Sequence, residues 1–143
     1  MKKIFFLLMT LGWFTTIQAQ WIEQNSGTTE NLNDVFCITA DTVVVVGDNG
    51  TILRTTNGGT LWSPVTSPAT GSLRRVAFTD TQTGYAVGDN GTILKTTNAG
   101  QTWQSLNTGT TENLLALSCV AADTLYVAGG NGLVKKSTDA GQT

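Results

Sequence analysis

The sequence has no histidine, only two cysteines and two prolines, and just 13% charged residues. Without an imidazole there is no histidine general base, no Ser-His-Asp triad and no histidine ligand for a metal. Cys37 and Cys119 fall inside predicted strands, which argues against a catalytic thiol or a zinc site. We therefore expect no cofactor and no metal, and any catalysis would have to depend on carboxylates.

The first nineteen residues have the pattern of an export signal. Lys2 and Lys3 precede an apolar run of eleven residues, Ile4–Phe14, and the small residue Ala19 follows. This pattern predicts a signal peptide over 1–19 and a mature chain over 20–143 that is secreted, periplasmic or on the cell surface. The run is shorter than the roughly 20 residues that a membrane-spanning helix needs. An uncleaved membrane anchor is the alternative; after cleavage we expect no membrane span.

Positive charge is scarce after the leader. Of the eight lysines and arginines, two lie in the leader, so six remain against ten acidic side chains, a net charge of −4. This negative net charge does not indicate the basic surface that nucleic-acid binding requires. Gly, Thr, Asn and Ser take the place of charged residues, which is typical of turn-rich β structure.

The chain repeats itself every 41 residues without insertion or deletion. Trp21, Trp62 and Trp103 are spaced by this step, which also links the glycines at 47, 88 and 129. The repeats lie near 21–61, 62–102 and 103–143. A fixed period of this length is the signature of a stacked or radial array of one supersecondary unit.

Each repeat predicts four short strands. In the second repeat these are residues 74–79, 84–88, 92–96 and 102–106, separated by turn residues such as Asp89-Asn90-Gly91. Runs such as Val43–Val46 are apolar on both faces and need cover on both sides. The fold class is therefore all-β, a β-propeller of four-stranded blades, present as about three blades of an incomplete ring. A β-sandwich shares the strand spacing, but gives no reason for a strict repeat.

The turn between the third and fourth strands carries the most specific motif. It reads Thr55–Trp62, Thr96–Trp103 and Ser137–Thr143. It resembles the Asp-box, S/T-x-D/N-x-G-x-T-W, of sialidase-type propeller blades, although the first two copies carry Asn and Leu61 replaces the usual Thr or Ser. The resemblance implies a structural role, since Asn or Asp bonds the nearby backbone and Trp covers the hairpin. The positions matching the motif are Asn57, Gly59, Trp62, Asn98, Gly100, Trp103, Asp139 and Gly141.

The wider repeat, V-G-D-N-G-T-I-L-[RK]-T-T-N-x-G-x-x-W, is similar to propellers of the photosystem II stability/assembly factor type. The resemblance covers Trp21 to Thr143. It implies a non-catalytic module that binds a protein or peptide, or scaffolds an assembly.

An enzyme hypothesis has four candidate carboxylates, Glu30, Asp34, Asp80 and Glu112. A glycosidase can work with two, but Asp80 lies on a turn expected at the opposite face from Glu30 and Glu112. The Phe/Tyr-Arg-Ile-Pro motif of sialidases is absent. The alternative function is therefore a fragment of a sialidase- or glucanase-like glycoside hydrolase whose catalytic residues lie outside this segment.

The binding hypothesis points to the face built by the strand-four-to-one and strand-two-to-three loops. Glu30 and Glu112 lie there two periods apart, and the second repeat places Arg74 and Arg75 at the same end. The two arginines would clamp a carboxylate-bearing partner segment. We expect a protein or peptide partner, with a glycan possible. The alternative is that these are ordinary solvated loops.

The repeat also predicts which side chains are buried. Cys37 and Cys119 occupy the slot that Phe78 holds in the second repeat, which indicates two buried, unpaired thiols. Trp62 and Trp103 are each expected to be mostly buried against their hairpins.

Three repeats are fewer than the 4–8 blades of typical propellers. We expect the natural chain to continue with Trp at position 144, and Trp21–Glu23 to be a fourth strand that completes the final blade. The alternative is that two copies join as a six-bladed ring, each lending its Trp21 strand to the other's third repeat.

Overall fold

A computed structural model describes residues 20–142. The predicted leader, residues 1–19, lies outside the described part of the chain. Within residues 20–142 no helix is long and apolar enough to cross a membrane. The described segment forms eleven antiparallel strands and three single 3₁₀ turns.

The strands form three antiparallel sheets, numbered along the chain. Sheet 1 contains β1 (Leu32–Cys37), β2 (Val43–Gly47), β3 (Ile52–Thr55) and β4 (Ser63–Pro64). Sheet 2 contains β5 (Leu73–Phe78), β6 (Gly84–Gly88), β7 (Ile93–Thr96) and β8 (Gln104–Leu106). Sheet 3 contains β9 (Leu114–Cys119), β10 (Leu125–Gly129) and β11 (Val134–Ser137). Strand order follows chain order in every sheet, and the prediction of partial propeller blades is confirmed.

The turn between the second and third strands has the same backbone in each sheet. Asn49, Asn90 and Asn131 adopt φ of 52°, 55° and 53°, and a glycine follows each with φ near 70°. Asn tolerates this left-handed region better than most residues, and Gly enters it without steric cost. The Asn-Gly pair therefore fixes the hairpin geometry three times.

The core consists of two layers, one on each side of sheet 2. Val44, Val46 and Ile52 of sheet 1 pack against Val76 and Phe78 of sheet 2. On the other side, Tyr85 and Val87 pack against Leu114, Leu125 and Val127 of sheet 3. Both faces of sheet 2 are covered, which explains why every residue of its inner strand β6 is buried.

The prediction that both cysteines are buried is wrong for Cys37, which is exposed, while Cys119 is half-buried. The 41-residue period makes the two positions equivalent, but different parts of the chain surround them in space. Among the described residues, no sheet packs over the outer face of sheet 1, whereas sheet 2 covers Cys119. Burial raises the pKa of the Cys119 thiol to about 11. Both cysteines are unpaired, as expected.

The two hairpin tryptophans differ for the same reason. Trp103 is 6% exposed, and its ring lies 6.1 Å from that of Phe78 in an edge-to-face contact. Trp62 is partly exposed, and its indole N–H donates to Gln24 Oε1 at 3.1 Å. Both tryptophans are therefore mostly buried, as predicted, and Trp62 is the less covered of the two. Residues 21–23 form no strand in this structure, and Trp21 is fully exposed.

Candidate functional site

One end of the three sheets collects the loops singled out by the sequence. We call it the loop face: residues 28–34, 69–75 and 110–116, which lead into and begin the first strands, and the turns 48–50, 89–91 and 130–132. Backbone hydrogen bonds join it across the sheets, since Gly50 N donates to Gly71 O and Gly91 N donates to Glu112 O, each at 2.9 Å. The loop face is therefore a continuous surface.

A β-bulge opens the first strand of each sheet at this face. The pairing of β5 with β6 skips Arg74, and the pairing of β1 with β2 skips Asn33. An extra residue in a strand turns its side chain away from the regular pleat. Arg74 and Asn33 therefore reach the turn between the second and third strands of their own sheet.

Arg74 is engaged by Asp89 in that turn. Its Nε donates to Asp89 Oδ1 at 2.9 Å and its Nη2 donates to Asp89 Oδ2 at 2.8 Å. The hydrogen bond to Asp89 and the charges of Asp89 and Asp48 raise the pKa of Arg74. The side chain is 37% exposed, so the pair lies at the surface. The bidentate geometry holds the guanidinium in one orientation.

In sheet 1 the same two positions hold Asn33 and Asp48. Asp48 accepts hydrogen bonds from the side-chain amides of Asn33 and Asn31, at 2.9 and 2.8 Å. These bonds, with a further one from Ser72, lower the pKa of Asp48. The Asn33 amide also donates to Leu73 O at 2.9 Å and thereby bridges to sheet 2.

Each glutamate of the loop face is held by an asparagine. Asn49 donates to Glu30 Oε2 and Asn131 donates to Glu112 Oε2, both at 2.9 Å. The second repeat has Gly71 at this position. The two carboxylates therefore have the same geometry in the first and third sheets, each with its own amide partner.

Arg75 is the other arginine of the loop face. It is exposed, and its Nη1 donates to Arg74 O at 2.7 Å. Asp34 holds the equivalent position in sheet 1 and accepts the Val76 N–H at 2.9 Å. The Asp34 carboxylate thus accepts a backbone N–H from the first strand of sheet 2. The remaining donors of Arg75 are exposed to solvent.

A polar cavity of about 290 Å³ lies beside this surface, between the segments that lead into β5 and β9. Its walls include Thr70, Asn90, Thr108 and Thr110. Hydroxyl, amide and backbone groups dominate the lining. It offers hydrogen bonds rather than apolar contact to a bound segment.

The structure does not assemble the four carboxylates into one site. Asp80 lies in the β5–β6 turn, at the opposite end of the sheet from Glu30 and Glu112. It accepts the backbone N–H groups of Thr83 and Gln82, at 2.8 and 2.7 Å, and these bonds lower its pKa. Residues 20–142 contain no group of three acidic, histidine or cysteine side chains that could hold a metal ion.

The motif residues at that opposite end bond their own turns. Thr55 Oγ1 accepts the N–H groups of Asn57 and Gly59, and Asn57 Oδ1 accepts the Leu61 N–H. The turns of the other sheets repeat this pattern with Thr96, Asn98 and Gly100, and with Ser137, Asp139 and Gly141. The hydrogen-bonding oxygens of these side chains are therefore engaged within their own turns.

Sequence reasoning missed the acidic partners of the bulge, Asp48 and Asp89, because both were read only as turn residues. The sequence nevertheless contains a signal for this contact. Asn33 and Asp48 are separated by the same number of residues as Arg74 and Asp89, and each pair combines a hydrogen-bond donor with an acid.

Comparison with known proteins relates this architecture to one family. The family profile described as Photosynthesis system II assembly factor YCF48 matches residues 14–107 and 61–143. The comparison with curated proteins gives no match.

Solved structures show the same fold. YCF48 bound to D1 peptide has a TM-score of 0.72 and 23% identity, covering 85% of this chain and 44% of that one. YCF48 from Cyanidioschyzon merolae has a TM-score of 0.73 and 18% identity, covering 87% of this chain and 42% of that one. The GH74 enzyme of Niastella koreensis has a TM-score of 0.64 and 17% identity, covering 78% of this chain and 22% of that one. The chain spans less than half the length of each of these structures.

Proposed function

Because the chain belongs to the photosynthesis system II assembly factor YCF48 family, we propose that it is an exported, non-catalytic propeller module that binds a peptide segment through its loop face. The observation that carries this proposal is the exposed guanidinium of Arg75, placed beside the fixed Arg74–Asp89 pair. A structure of YCF48 bound to a D1 peptide supports a peptide as the partner class.

The partner chemistry follows from the free donors of Arg75. A guanidinium presents a planar fork that matches a carboxylate, whether from an acidic side chain or from a chain terminus. Asp89 occupies the fork of Arg74, so Arg74 contributes mainly by orienting its neighbour. The polar cavity next to this face provides hydroxyl and amide groups for the backbone of an extended segment.

Glycoside hydrolysis is the second candidate, because GH74 enzymes share the fold. That likeness concerns fold alone, and function resides in a site. Glu30 and Glu112 each bond a separate asparagine, and Asp80 belongs to the opposite end. This arrangement favours the binding role. Release of reducing ends from a panel of polysaccharides by the purified chain would overturn it.

An array of ten-residue peptides tests the binding role, each made with a free carboxylate terminus and with an amidated one. We expect selective binding of carboxylate forms, loss of binding in Arg75→Ala, and only partial recovery in Arg75→Lys, which keeps the charge but not the planar fork. Asp41→Ala is a matched surface control, since Asp41 is exposed at the other end. Equal binding of the amidated forms would argue against the carboxylate hypothesis.

Export is part of the same proposal. The Lys2-Lys3 pair, the apolar run and Ala19 support cleavage after residue 19. Expression of the whole chain in a bacterial host should yield an extracytoplasmic product that begins at Gln20. A product that retains Met1 in the cytoplasm would contradict export.

A further inference from the structure

A further cavity lies between sheets 1 and 2, toward the end of the sheets opposite the loop face. Its volume is about 230 Å³, and we call it the inter-sheet cavity. Its walls come from β3, β4 and the motif turns of both sheets, and they include Arg54, Thr56, Asn57, Leu61, Ser63 and Gln101. None of these residues belongs to the loop face, so the inter-sheet cavity is a separate feature of the molecule.

Arg54 is the cation of the inter-sheet cavity. It is half-buried, and its Nε donates to Ala99 O of sheet 2 at 2.8 Å, which holds the guanidinium across the gap between the sheets. Within residues 20–142, neither of its Nη groups has a hydrogen-bond partner, and no carboxylate forms an ion pair with it. Such a guanidinium favours an oxyanion, because hydrogen bonds between charged groups are roughly twice as strong as those between neutral groups.

A departure from the motif adds a second donor to the inter-sheet cavity. In sheet 2, Asn98 Nδ2 donates to Thr102 Oγ1 at 2.9 Å and is thereby engaged within its own turn. Leu61 takes the place of this threonine in sheet 1 and has no hydroxyl. Asn57 Oδ1 still accepts the Leu61 N–H at 2.9 Å, but Asn57 Nδ2 has no partner in the described segment. The first motif turn therefore offers an amide donor that the second turn does not.

The rest of the lining is neutral and has both polar and apolar parts. Thr56 and Ser63 provide hydroxyl groups and Gln101 provides a side-chain amide, so these residues can both donate and accept hydrogen bonds. Leu61 is 64% exposed, and Val65 packs against the core between sheets 1 and 2. Sites for small molecules combine such apolar surface with a few polar groups. The lining therefore matches a ligand with one anionic group, several hydroxyls and an apolar face.

The equivalent place between sheets 2 and 3 is arranged differently. Lys95 replaces Arg54 there, donates to Ala140 O at 3.2 Å and lies 5.5 Å from the centre of the Tyr85 ring. Lysine has no planar fork to match a carboxylate. Gln104 also takes the place of the smaller Ser63. The combination of donors is thus specific to sheets 1 and 2, and Lys95 provides a matched control position.

We propose that the inter-sheet cavity binds one uronate unit of an acidic polysaccharide. The carboxylate of the sugar accepts hydrogen bonds from the Arg54 guanidinium and the Asn57 amide. The ring hydroxyls bond Ser63 and Gln101, and the C–H groups of the ring lie against Leu61. The volume is below the range of about 300–1,000 Å³ for drug-sized ligands, which limits the occupant to a single sugar unit. An acidic protein side chain has the same carboxylate but no hydroxyls for this lining.

NMR titration of the purified chain with short galacturonate, glucuronate and mannuronate oligosaccharides tests the site, with their neutral methyl esters as controls. We expect at least one acid to bind about tenfold more tightly than its ester, because a hydrogen bond to a charged group is lost in the ester. Arg54→Gln should weaken binding of that acid by about tenfold. Lys95→Gln removes the corresponding contact between sheets 2 and 3 and should leave the affinity unchanged. Binding of none of the acids, or equal binding of acid and ester, would overturn the proposal.

Leu61→Thr keeps the proposal testable if Arg54→Gln folds poorly. This change restores the threonine of the motif, which should engage Asn57 Nδ2 as Thr102 engages Asn98. We expect uronate binding to weaken about threefold, since one neutral hydrogen bond is withdrawn, with no loss of melting temperature. A folded Leu61→Thr chain that binds the uronates as tightly as the parent would contradict the proposed contacts.

Two further comparisons identify the ligand and separate the two sites. A peptide of three glutamates presents carboxylates without sugar hydroxyls, and binding of this peptide as tight as that of the uronates would overturn the sugar assignment. Arg75→Ala should retain uronate binding, and Arg54→Gln should retain peptide capture at the loop face, because the sites share no residue. Loss of uronate binding in Arg75→Ala would place the sugar at the loop face instead.

Discussion

Arg74 and Asp89 face each other across the bulge of β5 and the β6–β7 turn, joined by two hydrogen bonds of 2.9 and 2.8 Å. Asn33 and Asp48 have the same relationship in sheet 1 with a neutral donor. The first two repeats thus share a contact between the bulge and the turn although the donor side chain changes. This contact divides the two arginines of the loop face into one that is internally paired and one that is exposed.

The two arginines should therefore respond differently to truncation. Arg74→Ala should lower the free energy of unfolding by at most about 1 kcal/mol, because the pair is partly exposed to solvent. Arg75→Ala should leave the melting temperature unchanged and abolish peptide capture. Thermal denaturation and peptide binding of both variants check this, with Asp89→Asn as the partner variant. Peptide capture lost only in Arg74→Ala would contradict the assignment.

The hairpin tryptophans should differ in their contribution to stability. Trp103→Ala should cost about 3–5 kcal/mol, as expected for a buried indole in edge-to-face contact with Phe78. Trp62→Ala should cost only about 1–2 kcal/mol, because its side chain is less completely covered than that of Trp103. Urea denaturation of the two variants gives the comparison. Equal losses would mean that Trp62 is as completely covered in solution as Trp103.

Acid should weaken the turn that contains Asp80. Its pKa is lowered below 3.8 in the folded chain by the Thr83 and Gln82 N–H groups. The stabilisation is therefore complete above that value and is lost as the pH falls through the folded pKa. Asp80→Asn should show a smaller drop in melting temperature between about pH 4 and about pH 2 than the parent chain. An identical drop in both would show that this carboxylate is not responsible.

The two thiols should react at very different rates in dilute native protein. Cys37 is exposed, whereas burial raises the pKa of Cys119 to about 11 and leaves little thiolate at neutral pH. One thiol should be modified quickly, and the second only after unfolding. Timed labelling followed by peptide mapping identifies each site. Rapid labelling of Cys119 would contradict the packing between sheets 2 and 3.

The period predicted the strands well, because turn chemistry and strand patterning are local. Asn49 and Gly50 determine a hairpin wherever they occur between apolar runs. The same period was misleading for the burial of Cys37, and it did not show that Trp62 is less covered than Trp103. A repeat shows which positions are equivalent, but burial depends on what lies on the other side of the sheet. Equivalent positions have equal burial only where both neighbouring sheets are present.

The candidate site was predictable in outline and not in detail. The sequence placed Glu30, Glu112, Arg74 and Arg75 at one end, and topology brings these segments there. It could not show that Asp89 pairs with Arg74, because that depends on a bulge, and a bulge is set by the register of the neighbouring strand. The asparagine partners of the two glutamates depend on turn geometry in the same way.

Within residues 20–142, sheet 2 is covered on both faces and its neighbours on one, so resistance to opening should be graded along this segment. Arrays of this kind are stabilised by contacts between successive units, so the outer units fray first and the middle unit opens last. Every residue of β6 is buried, and its amides should exchange with deuterium more slowly than those of β1 or β11. A graded protection pattern would show that the second blade stays folded after its two neighbours have opened.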